Sequence, residues 1–258
     1  MFNLQGAGVF LPYSTDPNRL SDMGYDWSWG GGARVGATWG VTDRFRLGFS
    51  AASPMWMTRL EKYRGILADY GRFDIPANLQ AGAAYDLLPN LTVMADWRHI
   101  FYSAVAALGN PSNPLQYKTM GTASGPGFDW TDTDSGSVGV EWRYSPALTL
   151  RSGYHYTTNP LRWRSVTVNV LAPVINRHHA SAGANWAFTE HSSIDFAFVY
   201  AFKNSFTGVE WIPQQPGLPF GAANPRATIT PWVQGWELTL GYNYKWSKGD
   251  ESLIPARL

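Results

Sequence analysis

Apolar and polar positions alternate strictly along Trp236-Glu237-Leu238-Thr239-Leu240-Gly241-Tyr242-Asn243-Tyr244-Lys245-Trp246. Successive side chains of a strand point to opposite sides of a sheet. One face here is therefore Trp, Leu, Leu, Tyr, Tyr and Trp, and the other is Glu, Thr, Gly, Asn and Lys. The same rhythm predicts eight further strands, near Gly31–Trp39, Arg44–Ala51, Asn78–Leu87, Leu91–Tyr102, Ser137–Tyr144, Leu148–Thr157, His179–Phe188 and Ile194–Phe202, with the ninth over Trp232–Trp246. Turn residues stand where the pattern breaks.

The connections are alternately short and long. Val41-Thr42-Asp43, Pro89-Asn90, Ser145-Pro146-Ala147 and Thr189-Glu190-His191-Ser192 are tight. The intervening ones are long: Ser53 to Pro76, the Gly/Pro/Ser-rich stretch from about Ser103 to Asp134, the stretch that reaches Arg177, and the Pro-rich stretch from about Lys203 to Pro231. Short turns at one end and long loops at the other mark an outer-membrane β-barrel, with an apolar face to lipid and a polar face to a lumen. The expected fold is all-β, an antiparallel transmembrane barrel of about nine or ten strands. It forms a single domain over 1–258, with strands over about 27–246 and a periplasmic tail over 247–258. The last strand then runs toward the periplasm.

Composition agrees with two-faced strands. Hydrophobic residues make up 45 % of the 258 positions, yet the mean hydropathy is negative. No run of about 18 apolar residues exists to form a spanning helix. The 13 Trp and 13 Tyr suit membrane interfaces, where a ring is half dry and half wet. A net charge of +1 without a basic cluster excludes the footprint of a nucleic-acid binder. The absence of Cys excludes a disulfide framework or a thiolate metal site.

The N-terminus, Met1-Phe2-Asn3-Leu4-Gln5-Gly6, has no basic region followed by an apolar core, so it is not a secretory signal. The first strand, Gly31–Trp39, also runs downward, which requires an earlier upward strand if the strand number is even. Leu4–Tyr13 is a candidate, limited by Pro12. Both points lead us to expect the C-terminal part of a larger barrel.

Four stretches carry a family resemblance: Gly71-Arg72-Phe73-Asp74-Ile75-Pro76; Gly125-Pro126-Gly127-Phe128-Asp129-Trp130 with Asp132; Leu150-Arg151-Ser152-Gly153-Tyr154; and Asn169-Val170-Leu171-Ala172-Pro173 followed by His178-His179. In their order and spacing against the strands, from about Asp26 to Tyr244, the chain resembles the FadL/TodX family of outer-membrane transporters for long-chain fatty acids and other hydrophobic compounds. The resemblance implies a monomeric fourteen-stranded barrel with an N-terminal plug. It also implies capture at an outer hydrophobic groove and sideways exit through a kinked early strand. The plug and early strands have no counterpart here, so the transport reading applies to the parent protein.

Apolar loop residues are candidates for the capture groove: Met55, Trp56, Met57, Ile66, Leu67, Leu115, Phe128, Trp130, Trp163, Val166, Trp211 and Phe220. Packing of the loops against one another is the plain alternative. Inward positions carry Arg34, Arg46, Asp96, Arg98, Glu141, Arg143, Arg151, Asp195, Glu237 and Lys245. Cross-strand ion pairing accounts for most of these. Arg98, Arg143 and Arg151 are the candidates to meet a fatty-acid carboxylate, which a guanidinium takes with a planar fork.

His178 and His179 are adjacent and point to opposite faces, which does not suit chelation by the two together. His99 and His191 lie near opposite strand ends. No metal centre or cofactor is expected. A lipase would need a paired Ser and His, but His99 and Ser103 would stand about 13 Å apart on an extended strand. No Gly-x-Ser-x-Gly elbow or Gly-rich phosphate loop is present, so an enzyme is not expected. The leading reading is uptake of long-chain fatty acids or other hydrophobic compounds across a bacterial outer membrane. A small structural or adhesin-like barrel is second, and a soluble all-β binding protein third.

Overall fold

The protein was analysed as a computed structural model, which describes residues 1–112, 119–211 and 227–246. Nine strands dominate: β1 Arg34–Gly40, β2 Phe45–Ala52, β3 Asn78–Leu88, β4 Leu91–Ile100, β5 Thr133–Ser145, β6 Leu148–Thr157, β7 His178–Ala187, β8 Ser192–Ser205 and β9 Trp232–Tyr244. They form one antiparallel sheet in which each strand pairs with its neighbours in sequence. β1 and β9 are its edges, so the described strands form an open sheet. The connections 41–44, 89–90, 146–147 and 188–191 all fall at one end, and the long ones at the other.

Boundaries differ from the alternation pattern in explicable ways. β5 starts at Thr133 because Thr133 and Asp134 pair with Ile100 and His99 of β4. β8 continues to Ser205 through a bulge between Ala201 and Asn204, where Phe202 and Lys203 oppose only Gln234. Gly30–Gly31 leaves the first strand and pairs with Trp56–Met57 instead.

Leu4–Tyr13 is not a strand. Gly8–Tyr13 is a 3₁₀ segment with Pro12 inside it, since Pro cannot donate to a ladder. Phe10 is buried among loop residues instead of alternating on a sheet. The expected tenth strand is therefore absent from the described residues.

The side-chain faces follow the register. One row runs Trp39, Leu47, Ala83, Ala95, Val138, Tyr154, Ala180, Tyr200 and Trp236. This face is open: Val35, Trp39, Phe49, Val93, Trp97, Trp142, Tyr154, Trp186, Phe196, Leu238, Leu240 and Tyr242 are all exposed. Val140 and Phe198 share it but are half-covered by their neighbours. Aromatic pairs edge its short-turn end, Trp142 on Tyr144 (5.0 Å), Trp186 on Phe188 (5.7 Å) and Tyr244 on Trp246 (5.0 Å). Such a girdle belongs at a membrane interface.

The buried apolar residues tell the same story by their location. None of them lies in a strand of the large sheet. A soluble β protein would bury one sheet face, whereas here the core sits in the loops and the sheet's apolar face points outward. Strands β3 to β9 span 10 to 14 residues each, enough for tilted crossing of about 30 Å of hydrocarbon. No helix among the described residues is long and apolar enough to cross a membrane.

The opposite face is small and polar. Within the nine strands every glycine except Gly136 lies on it. Cross-strand ion pairing, expected for most of the inward charges, holds for Arg46, Glu141 and Arg151 among the described residues. Arg46 grips Asp86 with two hydrogen bonds, 2.8 and 3.0 Å, and Thr92 donates to the same carboxylate. Arg151 bonds Glu141, its direct partner across the strands, at 2.8 Å.

Replacing Val138 by Arg, in the middle of the apolar row, is expected to lower folding stability in lipid bilayers by roughly 2–4 kcal/mol. Thr38→Arg, on the exposed polar face of the edge strand, should change it by about 0.5 kcal/mol or less. Equilibrium unfolding in vesicles checks both, and equal effects would contradict the assigned faces.

Candidate functional site in the loop cluster

Loop cohesion starts from two buried clusters at the long-loop end. The first gathers Phe10, Leu20, Leu60, Tyr63, Ile66, Leu67 and Met120, with Phe2 and Leu4 packed on it. Tyr63 is fully buried, meets Phe2 edge-on at 4.9 Å and bonds Asn3 Oδ1 at 3.0 Å. The second gathers Val105, Leu108, Trp130, Leu161 and Ile175. Phe73 touches both.

Between the clusters lies a cavity of about 190 Å³. The N-terminal segment contributes Phe2, Leu4 and Phe10, and the β2–β3 loop Ile66, Leu67 and Phe73. The β4–β5 loop contributes Met120, Phe128 and Trp130, and the β6–β7 loop Val168, Leu171 and Ala172. Asn3 supplies a polar side chain, and none of the described lining residues carries a charge.

Two turns shape this wall. Gly71 has φ of +92°, and a Cβ there would stand 2.6 Å from the Leu60 carbonyl oxygen. A Cβ on Gly127 would meet the Ala106 carbonyl oxygen at 2.5 Å. Neither position accepts a side chain without moving backbone. These glycines belong to the Gly71–Pro76 and Gly125–Trp130 stretches singled out in the sequence.

Asn169 ties the wall together. It ends a one-turn helix, Val166–Asn169, and is fully buried. Its Nδ2 donates to the Phe128 carbonyl (2.8 Å) and the Ser165 carbonyl (2.7 Å), while its Oδ1 accepts the Trp130 indole N–H. Ser165 also bonds Asp129, which holds a positive φ of 57° between the two aromatics. Tyr102 meets Trp130 edge-on at 5.1 Å. Burial pushes the Tyr102 phenol above its usual range, so it stays neutral.

The structure separates the candidate residues. Phe128, Trp130, Ile66 and Leu67 line the cavity. Val166 is buried in its helix, Trp163 lies exposed beneath the Arg164 guanidinium, and Trp211 donates its indole N–H to the Arg164 carbonyl. Leu115 and Phe220 fall outside the described residues. Met55, Trp56 and Met57 stand apart from the cavity. Trp56 and Met57 pair with Gly30–Gly31, and Met55 and Trp56 are 44 % and 56 % exposed.

Arg98 lies on the polar face and donates to Gln80 Oε1 at 3.2 Å. Arg143 sits at the short-turn end and donates to the Pro89 carbonyl, and Arg151 is paired with Glu141. None of the three lines the cavity. The N-terminal lining residues and Asn169 were not anticipated. Phe2, Leu4 and Phe10 come from a stretch with no sustained strand or helix period to mark a site. Asn169 stood in a quoted motif without an assigned role.

Comparison with known proteins now becomes informative. No curated protein matches the chain. The model of a family described as outer membrane protein transport protein (OMPP1/FadL/TodX) matches residues 5–246. The chain belongs to the FadL/TodX family. It is an outer-membrane β-barrel protein, in a family of transporters for hydrophobic compounds.

Among solved structures it is similar to a Pseudomonas aeruginosa FadL homologue, at 17 % identity and a TM-score of 0.57, covering 92 % of this chain and 59 % of that one. It is similar to the Pseudomonas putida toluene transporter TodX, at 17 % identity and a TM-score of 0.56, covering 88 % and 52 %. The Ralstonia pickettii toluene transporter TbuX gives 18 % identity and a TM-score of 0.50, covering 84 % and 48 %. At these identities the likeness is one of fold. The chain spans about half the length of these structures.

Asn169→Leu keeps the volume but strands the Trp130 indole N–H and the Phe128 carbonyl. Each orphaned group is expected to cost about 1–3 kcal/mol. Hydrogen exchange should therefore quicken at the amides of residues 128–130 while the amides of β3 and β6 stay protected. Unchanged exchange in the 128–130 segment would remove Asn169 from this role.

Proposed function

We propose that this chain forms part of an outer-membrane channel for compact, neutral hydrophobic molecules of about the size of a single aromatic ring. The cavity carries this reading, because it combines about 190 Å³ with an uncharged, aromatic-rich lining. An apolar cavity of about 150 Å³ is known to stay dry and hold benzene. Phe73, Phe128 and Trp130 offer ring faces and edges to a flat ligand. The family's reach over hydrophobic compounds, and the toluene transporters among the similar folds, are consistent with such a ligand.

Long-chain fatty acids are the other substrate expected from the sequence. A carboxylate in this cavity would find no cationic partner among the described lining residues, and an unpaired buried charge is costly. The exposed Met55 and Trp56 favour an outer landing site for a long acyl chain. The proposed path therefore starts at the long-loop end, passes through the cavity between the two clusters and continues along the small polar face of the sheet.

Calorimetric titration of the detergent-solubilised protein separates the two substrates. Toluene is expected to bind saturably, and Leu171→Trp, which narrows the cavity, should weaken it about tenfold, or 1.4 kcal/mol. Alkyl carboxylates from eight to sixteen carbons should show no steady gain with length. If affinity instead rises by about 0.8 kcal/mol per methylene and falls in Trp56→Ala, the fatty-acid reading replaces this one.

A further inference from the structure

His155 and His179 are direct partners across β6 and β7, on the polar face. Their ring centroids are 5.6 Å apart with the planes inclined at 54°. The adjacent His178 takes the other face beside Tyr154 and Tyr156. The adjacency of His178 and His179 in sequence concealed the pair that the register creates.

Two further observations bear on this pair. Ser137 Oγ, next in the same cross-strand row, lies 2.9 Å from His155 Nδ1. With Nδ1–H as the donor, that bond fixes the tautomer and leaves Nε2 with a lone pair, as a hydroxyl or carbonyl beside a metal-bound imidazole does. His179 Nδ1 is buried without a hydrogen-bond partner among the described residues. A buried ring nitrogen left unsatisfied is costly, and beside a second imidazole it points to a ligand shared by both rings.

We propose that His155 and His179 form a two-histidine site for a divalent transition-metal ion on the polar face. Neutral imidazole suits Cu²⁺, Ni²⁺ and Zn²⁺, and Cu²⁺ binds tightest in that series. Opposed side chains on paired strands bring their Cβ atoms within about 5.5 Å, so both ligands are held by a rigid ladder. No third His, Asp or Glu converges with them among the described residues, so water fills the other coordination positions. Asp96 is next to Ser137 in the row and Arg98 lies in the adjoining one. Their opposite charges leave the rim near neutral. The site departs from the sequence expectation of no metal centre, and it does not depend on the ligand assigned to the loop cavity.

Cu²⁺ alone, titrated into the detergent-solubilised protein, tests it. One equivalent should bind, and pulsed electron paramagnetic resonance should register two imidazole ligands. His155→Gln and His179→Gln should each weaken binding at least about tenfold, with the two-imidazole signature lost and the sheet circular dichroism unchanged. His99→Gln/His178→Gln/His191→Gln, which retains only the proposed pair, should bind like the parent. Binding unaffected by either single change, lost in only one of them, or lost in the triple variant would overturn the proposal.

Discussion

The bilayer interior cannot hydrogen-bond a peptide group, and the rest of this structure depends on that constraint. Every N–H and C=O at membrane depth needs a partner within the protein, which leaves a continuous ladder as the solution open to strands. The eight antiparallel pairings of the large sheet supply that ladder from β1 to β9. Once strands face lipid on one side, their apolar side chains no longer need a core. The outward rows of Trp, Leu, Val and Phe are satisfied by hydrocarbon itself.

That choice moves the protein's buried core elsewhere. The long loops stand in water and cannot rest on an apolar sheet face, so they bury their own side chains. Tyr63 anchors one cluster and Trp130 the other. Irregular backbone inside such a core must also pair its polar groups. Asn169 does this for the Phe128 carbonyl and for the Ser165 carbonyl of its own helix turn, and Tyr63 does it for the Gly24 carbonyl. Rigidity in the loops thus comes from a few buried polar side chains acting on aromatic neighbours. The cavity lies where the two clusters fail to merge.

The strands were legible in the sequence because period two is a local property. A residue's face is set by its parity, and a one-residue slip would turn Leu238, Leu240 and Tyr242 to the polar side. All nine strands and the outward residues of the lipid face follow from it. Loop cores carry no such period. Phe2 and Phe10 meet Ile66 and Phe128 only through the tertiary arrangement, so their part in the cavity had no local signal. Register hides information in the same way. His155 and His179 are 24 positions apart, and only the pairing of β6 with β7 makes them neighbours. The 3₁₀ turn at Gly8–Tyr13 shows parity failing where Pro12 forbids a ladder.

Electrostatics link the cavity to the polar face beneath it. Two ion pairs stand on that face, Arg46 with Asp86 and Arg151 with Glu141. Asp195 accepts from Asn185 and Asn243 in place of a cation. An anionic solute that engaged Arg46 or Arg151 would have to displace the carboxylate already seated there, losing charge-assisted bonds worth roughly 1.5–3 kcal/mol. A neutral molecule needs no such exchange. It meets glycine, alanine, serine and threonine surfaces that neither hold it nor require desolvation of a charge. On the proposed reading, an uncharged cavity above this wall disfavours charge at both stages, first by offering no counter-ion among its described lining residues and then by holding Arg46 and Arg151 on their carboxylates. Arg98 lies outside these pairs, because its side chain donates to the neutral Gln80 amide. It is therefore the place on this face where a polar substituent on an otherwise apolar solute would find a free donor at little cost.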